Sequence, residues 1–337
     1  MRREVSRLYI LPHLADSTPP ATSETAAATP AGPSNLRLRV IYGLIGAALL
    51  LGSVWFSPVT FGLFFAFVQA VMLWEFYRMM RAGGYAPATW IGVGASLALF
   101  IGFAYTIFIT DYLAATGDVP DVIGSAVIYQ NRMNAEYYGL GLFFRKMLPV
   151  IILLTPISLI LVEMRNWPSV KAPFTNVGIT LTGLLYVSLP MILLNLIAVS
   201  SKSGYDYRRI FALLFLIWAS DIGAYAAGKT FGKHKMAPKI SPGKTWEGWA
   251  GGFVLTLVVG WAVGFMLPDM PLAHRLVAAG VVAVFAPLGD LAESMLKRSV
   301  GVKDSGSIMP GHGGLLDRFD AFLLVLPVLA LLQLLFA

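Results

Sequence analysis

The residues able to do chemistry gather in the last third of the chain. Asp290, Glu293, Ser294 and Lys297 fall at i, i+3, i+4 and i+7, so a helix places all four on one face. Arg298, Lys303 and Asp304 follow. A solvated helix end accounts for Lys297 and Arg298 but not for Asp290, which lies deeper, in Ala286-Pro287-Leu288-Gly289-Asp290. Next comes Pro310-Gly311-His312-Gly313-Gly314, where glycines around a histidine allow a sharp turn or close approach of a ligand to the main chain. Asp317 and Asp320, an i, i+3 pair, then lead into an apolar run. Upstream, Asp221 sits inside another apolar run, where a carboxylate costs about 2.5–3.5 kcal/mol on insertion scales and marks a functional site by default. Carboxylates at helix ends, without cysteine and with little histidine, are hard oxygen ligands. They suit Mg²⁺ better than Zn²⁺.

A second constellation runs from Gly228 to Gly248. Lys229, Lys233 and Lys244 stand beside glycines, with Lys235 two residues on from Lys233, the pairing a polyphosphate needs: amides that can approach it and point charges. Pro-Gly-Lys-Thr here is not a Walker A loop, because Pro238 occupies the position of that motif's first glycine. A simple basic membrane anchor would explain the lysines but not Ser241-Pro242-Gly243 or Glu247. Glu75, in Trp74-Glu75-Phe76, reads as a structural partner for Arg78 or another arginine. No Ser/His/Asp order, dinucleotide fingerprint or nucleic-acid module is evident in the sequence, so no nucleic-acid partner is expected.

The elements that must position these residues are membrane helices. Of 337 residues, 57% are hydrophobic and only 13% charged, against about 25% charge in soluble domains. Nine apolar runs near the bilayer-spanning length lie at 38–56, 59–79, 88–110, 147–162, 174–200, 210–228, 249–267, 273–294 and 319–337. The fold class is therefore an all-α polytopic integral membrane protein, with a polar loop expected over 111–146. Three regions are expected: a disordered cytoplasmic tail at 1–35, N-terminal membrane helices at 36–200, and a catalytic membrane region at 201–337. Eighteen of the 25 basic residues fall in the tail and alternate loops, which the positive-inside rule assigns to the cytoplasm together with both motif loops. Gly248, Gly252, Thr256, Gly260 and Gly264 form a small-residue stripe for close helix packing, expected within the monomer.

The run Ser294, Lys297-Arg298, Lys303-Asp304, Gly306, Pro310, His312-Gly313-Gly314-Leu315, Asp317-Arg318-Phe319-Asp320 resembles the signature of the phosphatidate cytidylyltransferase (CDP-diacylglycerol synthase) family. Asp221-Ile222-Gly223-Ala224-Tyr225, Phe231–Lys235 and Ser241–Gly248 resemble that family's second block. The likeness is specific over 220–320, looser over 38–219, and does not cover the tail. Met309 departs from the family's usual Ile, Leu or Phe. The resemblance implies the reaction CTP + phosphatidate → CDP-diacylglycerol + pyrophosphate, dependent on Mg²⁺, in a membrane homodimer. The expected location is the bacterial inner membrane, with the site facing the cytoplasm. By motif position it implies Asp290 and Asp317 as metal ligands, with Asp320 and Asp221 as further members; whether a monovalent cation joins the Mg²⁺ is left open. The expected catalytic set is Lys244, Lys297, Arg298, His312 and Arg318, with His312 hydrogen-bonding a phosphate rather than acting as base. The expected substrate-binding set is Lys233, Ser241, Thr245, Ser294, Lys303, Asp304 and Gly313. Two other readings are a CTP-dependent polyprenol or phytol kinase, against which the Lys297–Asp320 signature argues, and a secondary transporter, for which no paired repeat is found.

Overall fold

The computed structural model describes residues 35–336 apart from 117–120, 124–125, 129–131, 170–171, 201–203, 307 and 309–312. The expected tail thus lies outside the described residues, except for Asn35, the first residue of helix α1 (Asn35–Phe56). Ser57 alone links α1 to α2 (Pro58–Ala82). Its hydroxyl accepts from the Thr60 amide and the Thr60 hydroxyl accepts from the Ser57 amide, a reciprocal cap that turns the chain in one residue. Gly84, at φ +88°, ends that span in a conformation open to glycine.

Helix α3 (Thr89–Thr116) is followed by a small hairpin, β1 (Asp121–Ile123) with β2 (Ala126–Ile128), and by α4 (Arg132–Asn166). Here the structure corrects the sequence reading. The stretch at 111–146 is not simply a loop, since α3 extends into it and α4 occupies its second half. Arg145 and Lys146 lie within α4, and these charges had cut the apolar run short at 147; Pro149 and Pro156 lie inside both the expected span and the helix.

Helices α5 (Pro173–Gly183) and α6 (Leu189–Ile197) form one span, joined by a π-helical turn at Leu184–Ser188. A second hairpin, β3 (Val199–Ser200) with β4 (Gly204–Tyr205), leads to α7 (Tyr207–Phe231), capped by the Asp206 carboxylate. A third hairpin, β5 (Lys235–Ala237) with β6 (Ser241–Thr245), carries the lysine-rich motif into α8 (Trp246–Ala262). Helix α9 (Leu272–Ser299) and α10 (Leu316–Phe336) complete the chain.

Among the described residues, eight helices are long and apolar enough to cross a membrane, and Val40–Phe56 is a shorter apolar helix beside them. This is an all-α polytopic membrane protein. One apolar core, including Phe65, Met72, Leu194, Ile210, Val282 and Leu326, runs through both halves.

Glycine spacing sets how the last four helices meet. A Cβ at Gly252 would lie 2.7 Å from the Ser220 carbonyl, and one at Gly223 would lie 2.9 Å from the Gly252 Cα, so α7 and α8 pack backbone to backbone. Further along the same stripe, a Cβ at Gly260 would meet the Ala279 Cβ at 2.5 Å, bringing α9 against α8. A Cβ at Gly289 would meet the Asp320 carbonyl at 2.6 Å, which fixes α9 against α10 where both carry carboxylates. The stripe packs within the monomer.

Candidate active site

The end of α7, the β5–β6 hairpin, the start of α8, the end of α9 and the start of α10 meet at one end of the bundle. Lys244, from β6, reaches into it. Its Nζ lies 2.8 Å from Asp290 Oδ2 and donates to the Pro287 carbonyl at 3.0 Å. Pro287 also has no N–H for the Ala283 carbonyl one turn back. The Trp249 indole N–H takes that carbonyl at 3.1 Å instead, pinning the start of α8 to α9. Ser294 Oγ donates to the other Asp290 oxygen at 3.2 Å.

Asp221 on α7 and Asp320 on α10 complete this cluster. Asp320 lies within electrostatic reach of Asp290, Asp221 and Lys244, and its Oδ1 accepts from the Ala321 amide at 2.7 Å. Of the three carboxylates only Asp290 is paired with Lys244, and Asp221 and Asp320 sense that ammonium from farther away. The donor set, all carboxylate oxygen and short of positive charge, fits a hard divalent cation. In this arrangement no group of three His, Cys, Asp or Glu side chains among the described residues already converges as a metal cage.

Asp317 belongs to an adjoining cluster. Lys297 Nζ stands 2.7 Å from Asp317 Oδ1 and 2.5 Å from Glu293 Oε2, and Glu293 is 1% exposed. Asp317 Oδ2 accepts from the Gly314 amide at 2.8 Å and from the Ser305 amide at 3.1 Å. Beneath it, the fully buried Glu75 accepts from the Leu316 amide at 2.9 Å and from Ser305 Oγ at 3.4 Å. Glu75 therefore does not serve chiefly as an arginine's ion-pair partner. It holds the loop after α9 to the start of α10, while Arg78 donates to the Ser305 carbonyl at 3.1 Å. The four carboxylates expected to act together fall into two neighbouring groups: Asp221, Asp290 and Asp320 with Lys244, and Asp317 with Lys297 and Glu293.

The lysine-rich hairpin has its own internal clamp. Glu247, in the first turn of α8, accepts from the amides of Lys233 (3.1 Å) and His234 (3.2 Å) and pairs with His234 Nδ1 at 2.6 Å. The Lys233 side chain is left exposed. The Thr245 hydroxyl turns inward as the α8 cap, accepting from the Gly248 amide at 3.1 Å, and the residue is buried. Ser241 opens β6 and is half-buried. Arg298, Lys303, Asp304 and Arg318 are exposed around the same end. Gly313 takes φ +81° and brings its backbone against Asp317. His312 lies outside the described residues.

A model of the Cytidylyltransferase family matches residues 37–336. The chain belongs to this family. Among curated relatives, the phosphatidate cytidylyltransferase of Bacillus subtilis (strain 168) is 44% identical over 167 residues, 49% of this chain and 61% of that protein. That of Staphylococcus saprophyticus subsp. saprophyticus is 41% identical over 160 residues, covering 47% of this chain and 60% of the relative. The Staphylococcus aureus (strain COL) protein is 46% identical over 132 residues, 39% of this chain and 50% of its own length. The chain thus spans between half and about three-fifths of the curated relatives it matches. Sequence reasoning about this family member left Glu293 and Glu75 out of the site. Glu293 carried a usable signal, its place on the Asp290–Lys297 face. Glu75 carried none, because its partner Ser305 is 230 residues away in sequence.

Proposed function

We propose that this protein is a phosphatidate cytidylyltransferase, forming CDP-diacylglycerol and pyrophosphate from CTP and phosphatidate. The observation that carries the reading is the meeting of Lys244 and Asp290 at 2.8 Å, which joins the two motif blocks at one end of a membrane bundle. The family match and the printed names of the relatives support the same activity.

In the proposed reaction a phosphate oxygen of phosphatidate bonds to the α-phosphorus of CTP. The bridging bond between the α- and β-phosphates breaks, and its electron pair leaves on pyrophosphate. A phosphate monoester has its second pKa near 6, so it is mostly ionised near neutral pH and needs no strong protein base. The difficulty is bringing two polyanions together. Lys244 and the exposed Lys233, Arg298, Lys303 and Arg318 offset that repulsion, with Lys244 placed against Asp290 to receive the nucleotide phosphates. Asp221, Asp290 and Asp320 would hold Mg²⁺, which supplies charge neutralisation on the triphosphate. Asp317 would join them only by releasing Lys297. Thr245 contributes by capping α8: its hydroxyl accepts from the Gly248 amide and so fixes the start of that helix next to Lys244.

The basic-residue distribution supports a site facing the cytoplasm, and the bacterial relatives support the inner membrane. The homodimer rests on the family resemblance alone and is tested by cross-linking in native membranes. The deciding assay gives membranes containing the protein CTP labelled at the α- or γ-phosphate, with phosphatidate or a prenol added. Label from α entering lipid only with phosphatidate is expected. Label from γ entering the prenol would establish a kinase, and unlabelled lipid in every arm would leave the transporter reading.

A further inference from the structure

At the opposite end of the last helices lies a cavity of about 720 Å³, within the roughly 300–1,000 Å³ typical of small-molecule sites. It is bounded by the starts of α7 and α9 and by the ends of α6, α8 and α10. Its walls are apolar, with Leu213, Leu216, Val263 and Leu329 all buried. Its mouth is cationic. Three arginines, Arg208, Arg209 and Arg275, line this one cavity.

The three arginines are not equally occupied. Arg208 is held by Asp206 through Nε at 2.8 Å and Nη2 at 2.9 Å. Arg209 donates to the Val199 carbonyl at 2.7 Å, and no carboxylate among the described residues forms an ion pair with it. Arg275 lies across Gly264, where any Cβ would collide with its guanidinium. It donates to the Trp261 carbonyl at 3.3 Å, while its Nε is buried without a hydrogen-bond partner. Asp269 and His274 also face the cavity, and Asp269 is exposed at the rim.

We propose that this cavity binds an anionic phospholipid, with its phosphate against Arg209 and Arg275 and an acyl chain along the apolar walls. A small hydrated anion would use the guanidinium groups but leave the walls wet. A neutral lipid would fill the walls but leave Arg209 and Arg275 hydrogen-bonded only to main-chain carbonyls, since the Asp206 carboxylate that also lines the cavity is paired with Arg208. Arg208 and Asp221 are 13 residues apart on α7, a rise of about 20 Å, so a phosphate held here is remote from the candidate active site. The proposal is independent of the reaction assigned to that site.

The test uses the full chain in phosphatidylcholine vesicles with a trace of phosphatidylglycerol carrying a photoactivatable group near the end of its acyl chain. Cross-linked peptides are mapped by mass spectrometry. Labelling is expected within 208–216, 260–278 and 329–333, reduced by excess unlabelled phosphatidylglycerol at least tenfold more effectively than by added phosphatidylcholine analogue. Arg275→Gln and Arg209→Gln, each checked for unchanged melting in lipid-free detergent, are expected to abolish that preference. Equal competition by the two lipids, no labelling of these segments, or a folded Arg275→Gln protein that keeps the preference would each overturn the proposal. Displacement by glycerol 3-phosphate alone would do so too, by showing a site for free anions. If Arg209→Gln melts early, Arg275→Gln decides.

Discussion

At the scale of single residues, the site rests on two lysines with different duties. Lys244 is half-buried and bonds one carboxylate and one carbonyl, so replacing it leaves accessible groups that water can solvate. Lys244→Ala and Asp290→Asn are each expected to cut turnover roughly 100-fold or more, as loss of a preorganised charge does, with melting temperature in detergent unchanged. An Asp290→Asn protein that is folded and turns over normally would remove Asp290 from the proposed metal set. Lys297 stands between two carboxylates at 2.5 and 2.7 Å, one of them almost fully buried. Removing it strands like charges, so Lys297→Met should destabilise by about 3–5 kcal/mol. The double variant Glu293→Gln/Lys297→Met should recover most of that loss in thermal melts, because the stranded charge goes with its partner.

At the scale of elements, close packing at glycines decides whether the carboxylates meet. Asp290 and Asp320 are on different helices, and the close approach of α9 and α10 at Gly289 lies beside both of them, within the range at which they sense one another. Gly289→Val places side-chain carbon where the Asp320 carbonyl stands. It is expected to cost roughly 1–3 kcal/mol by overpacking and to abolish turnover by parting the helices. Gly280, on the same helix with open space around it, is the control: Gly280→Ala should leave both melting and turnover unchanged. The hairpin before α8 works similarly, since Glu247 ties the Lys233–His234 turn to the helix that Thr245 caps. Proline placement belongs to this scale too. Pro287 gives up a helix bond, and Trp249 from α8 uses the carbonyl thus freed.

At the scale of the whole molecule, the lack of cysteine makes orientation directly measurable. Lys239, in the β5–β6 hairpin, and Asp269, between α8 and α9, are both exposed and lie at opposite ends of α8. Asp269→Cys is expected to react with a membrane-impermeant maleimide on intact cells, and Lys239→Cys only after permeabilisation. The reverse pattern would invert the proposed topology. Reaction of both from one side would contradict a spanning α8.

Much of this protein is written locally. Apolar run length sets the spans, because a bilayer demands about 20 such residues with their backbone bonds made internally. The i, i+3, i+4, i+7 pattern set the Asp290–Lys297 face, and Ser57-Pro58 set the first turn. Where local signals conflicted, as with the paired charges Arg145 and Lys146 inside α4, the reading fell short. The division of the carboxylates into a cluster around Lys244 and a clamp around Lys297 was not legible, since it depends on where α10 docks against α9. Nor was the role of Glu75, a buried carboxylate satisfied by a loop that arrives far later in the chain. Sequence determined which polar residues the membrane must accommodate. Tertiary structure alone decided which pair with which, because pairing is a matter of a few ångströms between helices whose separation is set by contacts distant in sequence.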